Sequence, residues 1–394
     1  MPQFELPDGW EWRTLGDVAS ISAGTTAPQE EKYFVEGRYP FVRAKDVGRC
    51  GRTANLVATA DWVNDLAINK KRLKHARKGA ILFPKSGASI LTGSRAKLGV
   101  EAYVVSHLAI ADGDPTIVDD SWLFHWLCTA DMVALAQSES GYPSLRLSDV
   151  QTLEIPVPPI PEQKRLVARI EAQTSRVEAV RKAQHELVHE MHSVLVGFYA
   201  EITAAAEWKP LSEVAPQARR PVTVQAGQSY PELGIRSFGK GTFHKPAISA
   251  EQLGSKRLYH IHPGDLIFNN VFAWEGAVAV VKPEDVGRVG SHRFITCVPK
   301  PGVTTTPFLY FHFTTEQGLH DLGDASPGGA GRNRTLGLKN LAAIRVPVPS
   351  HGKQVVFTRL WNKIETTRRL QAELKADLAA YVPSVLAKAF RGEL

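Results

Sequence analysis

Two stretches of the chain carry apolar residues at steps built from threes and fours. From position 162 to about 202 the seam runs through Leu166, Ile170, Val177, Val180, Leu187, Met191, Val194, Phe198 and Ile202. From position 354 to about 390 it runs through Leu360, Ile364, Gln371, Leu374, Leu378, Tyr381 and Val385. Such seams with charged flanks predict coiled-coil-like helices. Forty helical residues span about 60 Å, and a lone helix of this polarity is marginal in water. The economical arrangement is an antiparallel pair in which each helix covers the other's seam. The alternative is two separate amphipathic helices, each lying on its own domain. Pro161 and Pro349 suit a helix start, where a missing N–H costs little. Pro383 falls inside the second helix and predicts a kink or break there.

Outside these stretches the pattern changes to short β runs at 80–83, 102–105, 265–268, 276–281 and 294–298, punctuated by Gly, Pro and Ser. Helical patterns at 121–138 and 306–322 interrupt them, so each half reads as α+β. The halves also repeat one another. Ile155-Pro156-Val157-Pro158 with Gln163 recurs as Val346-Pro347-Val348-Pro349 with Gln354, at a constant offset of 347 − 156 = 191. Trp12-Arg13-Thr14-Leu15 recurs as Trp208-Lys209-Pro210-Leu211, and Ser106-His107 as Ser291-His292, at offsets of 196 and 185. A drifting offset means equivalent strands joined by loops of different length. A period this long points to two copies of a domain plus helix. The expected division is two similar globular domains, 1–155 and 205–346, with helical regions 156–204 and 347–394.

Composition fits a folded protein of about this domain count: 394 residues, 43% hydrophobic and 22% charged. The 47 Lys and Arg against 40 Asp and Glu leave a formal charge of +7, a modest excess compatible with a polyanionic partner, with an ordinary basic cytoplasmic protein as the alternative. Three distant cysteines, Cys50, Cys128 and Cys297, form no zinc spacing and fit a reducing compartment. No secretory signal or membrane-length apolar run is read, so a cytoplasmic location is expected.

Catalytic motifs are missing from the reading. There is no GxxxxGK[ST], no GxGxxG after a strand, no GxSxG and no HExxH. His260, His262 and Asp265 are close in sequence, but a Pro263-Gly264 turn makes them read as surface residues rather than metal ligands. Asn269-Asn270-Val271-Phe272 lacks the proline of an adenine-gripping methyltransferase loop. The reading is a binding protein, with no catalytic residue, metal or cofactor of its own.

With Ile155-Pro156-Val157-Pro158-Pro159-Ile160-Pro161-Glu162-Gln163-Lys164-Arg165 and the closing Leu386-Ala387-Lys388-Ala389-Phe390-Arg391-Gly392-Glu393-Leu394, the chain resembles the specificity (S) subunits of type I restriction–modification systems. The resemblance covers essentially the whole chain. It implies two target-recognition domains, each reading one part of a bipartite duplex DNA sequence. It further implies that the paired helices act as a spacer that sets the gap and docks two modification (methyltransferase) subunits. Those subunits bring S-adenosylmethionine, and restriction (ATP-dependent nuclease) subunits join them. The second copy departs from the pattern at Ser350-His351-Gly352-Lys353-Gln354, so a later or looser start is expected for the second helix. Two other readings stay open: the specificity subunit of a fused methyltransferase–nuclease system, and a tandem-domain scaffold that binds proteins through its coiled coil.

Reading bases calls for Arg toward guanine and Asn toward adenine, with further basic groups on phosphates. The candidates are Arg43, Lys45, Lys85, Arg95, Lys97 and Arg146 in the first half. In the second they are Arg236, Lys240, Asn269, Asn270, Arg293, Arg332, Asn333 and Arg334. The run Gly328-Gly329-Ala330-Gly331-Arg332-Asn333-Arg334 draws most weight, because glycines let guanidinium groups come close to a backbone.

Overall fold

The computed structural model describes residues 4–50, 55–136, 142–328 and 334–394. Its chain divides into two units, Met1–Gln184 with Ala372–Leu394, and His185–Gln371. Each unit therefore holds one sheet-bearing lobe and a part of both long helices.

In the first unit, strand Glu11–Thr14 pairs antiparallel with Glu154–Val157, so that Trp12 faces Pro156. Proline is accommodated because a two-stranded ladder leaves one edge of each strand without a partner. A four-stranded antiparallel sheet follows, in the order Ala19–Ala23, Leu108–Gly113, Ile81–Pro84, Ala96–Lys97. Ile81–Pro84 is buried at every position, as an unbroken apolar run predicts. A second sheet has the order Asp61–Val63, Tyr39–Val42, Ala102–Val104, Lys74–Ala76, with its two central strands parallel.

The second unit repeats this plan strand for strand. Glu207–Pro210 pairs with Arg345–Val348, placing Trp208 opposite Pro347. One sheet runs Gln217–Ala218, Phe294–Cys297, Leu266–Asn269, Val278–Val280. The other runs Thr242–Ser249, Ser229–Ile235, Val289–Ser291, Leu258–His260, again with a parallel central pair. The internal repeat is thus a repeat of topology, and the lobes are α+β as expected.

Each short helical stretch is split in two. Asp120–Leu127 is followed by Met132–Leu135, and Thr306–Thr314 by Glu316–Asp324. The restarts have caps: Asp131 Oδ1 accepts the Val133 and Ala134 N–H groups at 3.1 Å, and Thr315 Oγ1 accepts that of Gly318 at 3.2 Å. Gly318 is required there, since a Cβ would sit 2.1 Å from the His312 carbonyl oxygen.

The long helices are Ile160–Thr203 and His351–Phe390. Both start earlier than the periodicity suggests, and the divergent second motif does not delay its helix. Gln163 and Gln354 are each the fourth helical residue, and each is fully buried. In the first unit the helices run antiparallel. Arg165 donates to the Leu394 carbonyl at 3.2 Å, Tyr381 to Gln173 Oε1 at 3.0 Å, and Arg181 to the Leu378 carbonyl at 3.4 Å. In the second unit Met191, Leu195, Phe198 and Ile202 pack with Phe357, Leu360, Trp361 and Ile364.

Burial along the seam is uneven. Leu166, Ile170, Val177 and Val385 are buried, whereas Val180, Leu187, Leu374 and Tyr381 stay exposed, and Leu195 rather than Val194 points inward. The helices bury their seams most fully where they meet a lobe. Pro383 does not break its helix. It and Ala379, whose carbonyl loses its donor, are both exposed, so water can satisfy that group, while Val385, Leu386, Ala389 and Phe390 anchor the following turns in the first core. Among the described residues no helix is long and apolar enough to cross a membrane.

Candidate nucleic-acid interface

The buried glutamines fix where each lobe meets its helices. Gln163 Nε2 donates to the carbonyls of Ile117 and Pro158 at 2.9 and 2.7 Å, while its Oε1 accepts the Asp119 N–H at 2.7 Å. Gln354 does the same one repeat later: Nε2 donates to Val303 and Pro349 at 3.0 and 2.8 Å, and Oε1 accepts the Thr305 N–H at 3.2 Å. The C-terminal end of each long helix closes the opposite side. Phe390 lies 4.6 Å from the Trp122 ring, and Tyr199, its repeat counterpart, 5.5 Å from Phe308.

On this scaffold, scattered basic and amide residues are brought to equivalent places. At the end of Ile81–Pro84, the Lys85 N–H donates to the His107 carbonyl at 2.9 Å, and its own carbonyl accepts the Leu145 N–H at 2.8 Å. Lys85 therefore adjoins Arg146, which is exposed. After Leu266–Asn269, the Asn270 N–H donates to the Arg293 carbonyl at 2.8 Å, and its carbonyl accepts the Leu336 N–H at 2.7 Å. The same two-sided backbone anchor thus gathers Lys85, His107 and Arg146 in one lobe, and Asn270, Arg293 and Arg334 in the other. Asn269 sits beside it, its Oδ1 accepting the Val271 N–H at 3.1 Å. The Arg334 guanidinium lies over the Trp274 ring at 5.5 Å. Asn270 Oδ1 is shielded and makes no hydrogen bond among the described residues.

Two further groups border these anchors. The helix Ala44–Arg49 rests against Ile81–Pro84 and the turn Ala88–Thr92, presenting an exposed Lys45. Arg43, at its start, is already engaged by Asp61 and by the Phe41 ring at 5.5 Å. In the second lobe, residues 236–241 turn sharply above the Asn270 loop, their Phe238 and Gly239 N–H groups donating to Glu275 and Gly276 at 2.8 and 3.0 Å. Arg236 and Lys240 are exposed there; Arg236 donates to the Thr242 carbonyl at 2.9 Å.

Residues 7–187 match the model of the type I restriction modification DNA specificity domain. That stretch, a little under half of the chain, is what is similar to the type I specificity domain. Its aligned stretch is 30% identical over 161 residues to the type I restriction enzyme MjaIX specificity subunit of Methanocaldococcus jannaschii, covering 40% of this chain and 36% of that one. Against the EcoAI specificity subunit of Escherichia coli it is 24% identical over 228 residues, covering 53% and 37%. The chain thus spans little more than a third of the length of these curated relatives. Solved structures extend the likeness of fold to the whole chain. A chain from a study of complex assembly and conformational transition in the type I R-M system matches with TM-score 0.67 at 19% identity, covering 100% of both. The HsdS subunit of Thermoanaerobacter tengcongensis matches with TM-score 0.54 at 20% identity, covering 100% of this chain and 99% of that one.

Two candidates lie in the scaffold of the first lobe instead. Arg95 is buried, and its guanidinium donates to the Leu127, Ala130 and Ser94 carbonyls at 3.2, 3.3 and 3.0 Å. A cation so placed compensates carbonyls at the end of a short helix and has no reach outward. Lys97 is half-buried with its ammonium on the Ser121 hydroxyl. Arg332 and Asn333 lie outside the described residues. Sequence reasoning also passed over the exposed aromatics Tyr142 and Phe238, which sit on these same loops. The glycines beside Phe238 were the available signal.

Among the described residues no group of three or more His, Cys, Asp or Glu could hold an ion. Asp265 is instead buried, taking Arg220 at 2.6 Å and the His262 N–H at 2.8 Å. Two histidines are internal. His125 and His312 are each pushed down to about 4, by burial first and, for His125, by the Lys97 charge as well. Neither Nε2 makes a hydrogen bond among the described residues, although the Glu171 carboxylate stands 4.0 Å from that of His125.

Proposed function

We propose that this chain is the non-catalytic DNA-recognition subunit of a type I restriction–modification complex. Each lobe reads one part of a bipartite duplex target, and the long helices set the gap and dock two modification subunits. S-adenosylmethionine is bound by those subunits, and the ATP-dependent restriction subunits join the same assembly. The observation that carries the reading is the doubled anchor. A similar pair of backbone bonds holds Lys85 in one lobe and Asn270 in the other, each amid exposed basic groups. A two-part sequence needs two reading heads of one construction with different side chains. Lysine suits guanine edges or phosphate and asparagine suits adenine, so the heads differ in what they read.

The candidate contacts are Lys45, Lys85 and Arg146 with Arg43 beside them, and Arg236, Lys240, Asn269, Asn270, Arg293 and Arg334 opposite the second half-site. The test is a binding titration over a salt series with the modification subunit present, on the target mapped by methyladenine sequencing of the host with and without this gene. Affinity should fall steeply with salt. Arg334→Ala should weaken the cognate duplex by about 1–3 kcal/mol and relax one position of the second half-site. A loss equal on every sequence assigns Arg334 to phosphate, and a salt-independent assembly that shifts no duplex refutes the reading.

A further inference from the structure

Phe238 combines two costly features. Its backbone is in the left-handed region at φ +61°, where an aromatic side chain is strained, and its ring is 72% exposed, more than any other large apolar side chain among the described residues. Glycine would serve this turn without either cost, and Gly239 and Gly241 beside it do so at φ +62° and +74°. The turn is also held rigid from behind. Besides the two backbone bonds to Glu275 and Gly276, Tyr310 donates its hydroxyl to the Gly239 carbonyl at 2.6 Å, and Ser237 donates to Glu275 Oε2 at 3.0 Å. Two exposed cations share the turn: Lys240 Nζ stands over the Phe238 ring, 5.7 Å from its centre, and Arg236, two residues before Phe238, lies over the Phe243 ring at 4.9 Å.

An exposed aromatic side chain on an anchored turn that also carries two exposed cations matches what is needed to enter a base step while the charges hold phosphates. We propose that Phe238 is a wedge that unstacks one base step in or beside the second half-site. The inference rests on the DNA-recognition reading and adds to it a positioning residue that reads deformability rather than base edges. Pyrimidine–purine steps, which open most easily, are the steps it would favour.

The test uses the full chain assembled with its modification subunits and duplexes carrying 2-aminopurine at successive positions of the target. Wild type should raise fluorescence at one step on the second side only. Phe238→Ala should abolish that rise and weaken binding about tenfold, whereas Phe238→Leu, which keeps an apolar wedge, should retain most of both. Phe238→Gly should lose the rise yet raise Tm by roughly 2–4 °C, because strain is relieved. A fluorescence rise that survives Phe238→Ala, or a lowered Tm in Phe238→Gly, overturns the wedge. Failure of the DNA-recognition reading is separate, since wild type would then shift no duplex at all.

Discussion

Gln163 and Gln354 each satisfy two carbonyls and one N–H in a fully buried position. The sequence marks both residues by their constant spacing from the Pro-Val-Pro motif, yet gives no reason for an amide there. The reason is that only a side chain with donor and acceptor ends can bridge the helix start and the loop before the short helix. Gln163→Ala should cost about 2–3 kcal/mol of stability, because buried polar groups are left unpaired, and Gln163→Glu should not rescue it, since a carboxylate cannot donate to two carbonyls. Denaturant unfolding of the three proteins measures this, and a loss under about 0.5 kcal/mol would refute the staple role. His125 supports a second prediction. Free imidazole titrates near 6.5, whereas the folded group holds off protonation to about 4. The unfolded state therefore binds more protons between those values, so stability is complete above about pH 6.5 and is lost as pH falls toward 4. The histidine accounts for on the order of 3 kcal/mol at the acid end. His125→Leu should flatten the fall in Tm between pH 7.5 and 4.5, and an unchanged pH slope counts against burial as the cause.

Among the elements, the long helices show what a periodic pattern does and does not say. Their existence and the expectation that they pair follow from seams at three-four spacing, while the antiparallel run is seen in the bonds from Arg165, Tyr381 and Arg181 within the first unit. Their limits do not follow from the seams, because the seam begins after the first turn and because Val180 and Leu374 lie on the stripe yet remain exposed. Where a stripe is covered depends on what stands opposite, and the covering groups come from a distant part of the chain. The clearest case is the end of the second long helix, whose Phe390 completes a core built around Trp122 in the first unit. Phe390→Ala should destabilise that unit by about 3–5 kcal/mol and lower the first of any two thermal transitions. A single unchanged transition would show the core to be closed without it. Pro383 teaches the converse lesson: propensity disfavours it in the helix interior, but exposed flanks and anchored neighbours carry the helix through.

For the whole molecule, the duplication means that one structural solution is used twice and diversified in its loops. Matching strand order, matching register at Trp12 and Trp208, and matching anchors at Lys85 and Asn270 are scaffold; the side chains at the anchors are the variable part. If helix length sets the gap between half-sites, inserting one heptad into both long helices should lengthen that gap by a small whole number of base pairs while leaving both half-sites unchanged. Methylome sequencing of a strain carrying the insertion reads the outcome directly, and an unaltered gap would dissociate helix length from spacing.

By itself the sequence determined the duplication, the α+β character of each half and the paired long helices, because hydrophobic period and repeated spacing are properties of the chain read in order. It also drew up a list of cations and amides in which groups on the anchored loops and groups buried in the scaffold were mixed. Only the tertiary structure separated Arg95 and Lys97, turned inward onto carbonyls and a hydroxyl, from Lys85, Asn270 and Arg334, gathered on the anchored loops. It alone exposed Phe238 at a strained turn. Burial, backbone anchoring and the facing of a side chain arise from residues far apart in the chain, and no local pattern encodes them.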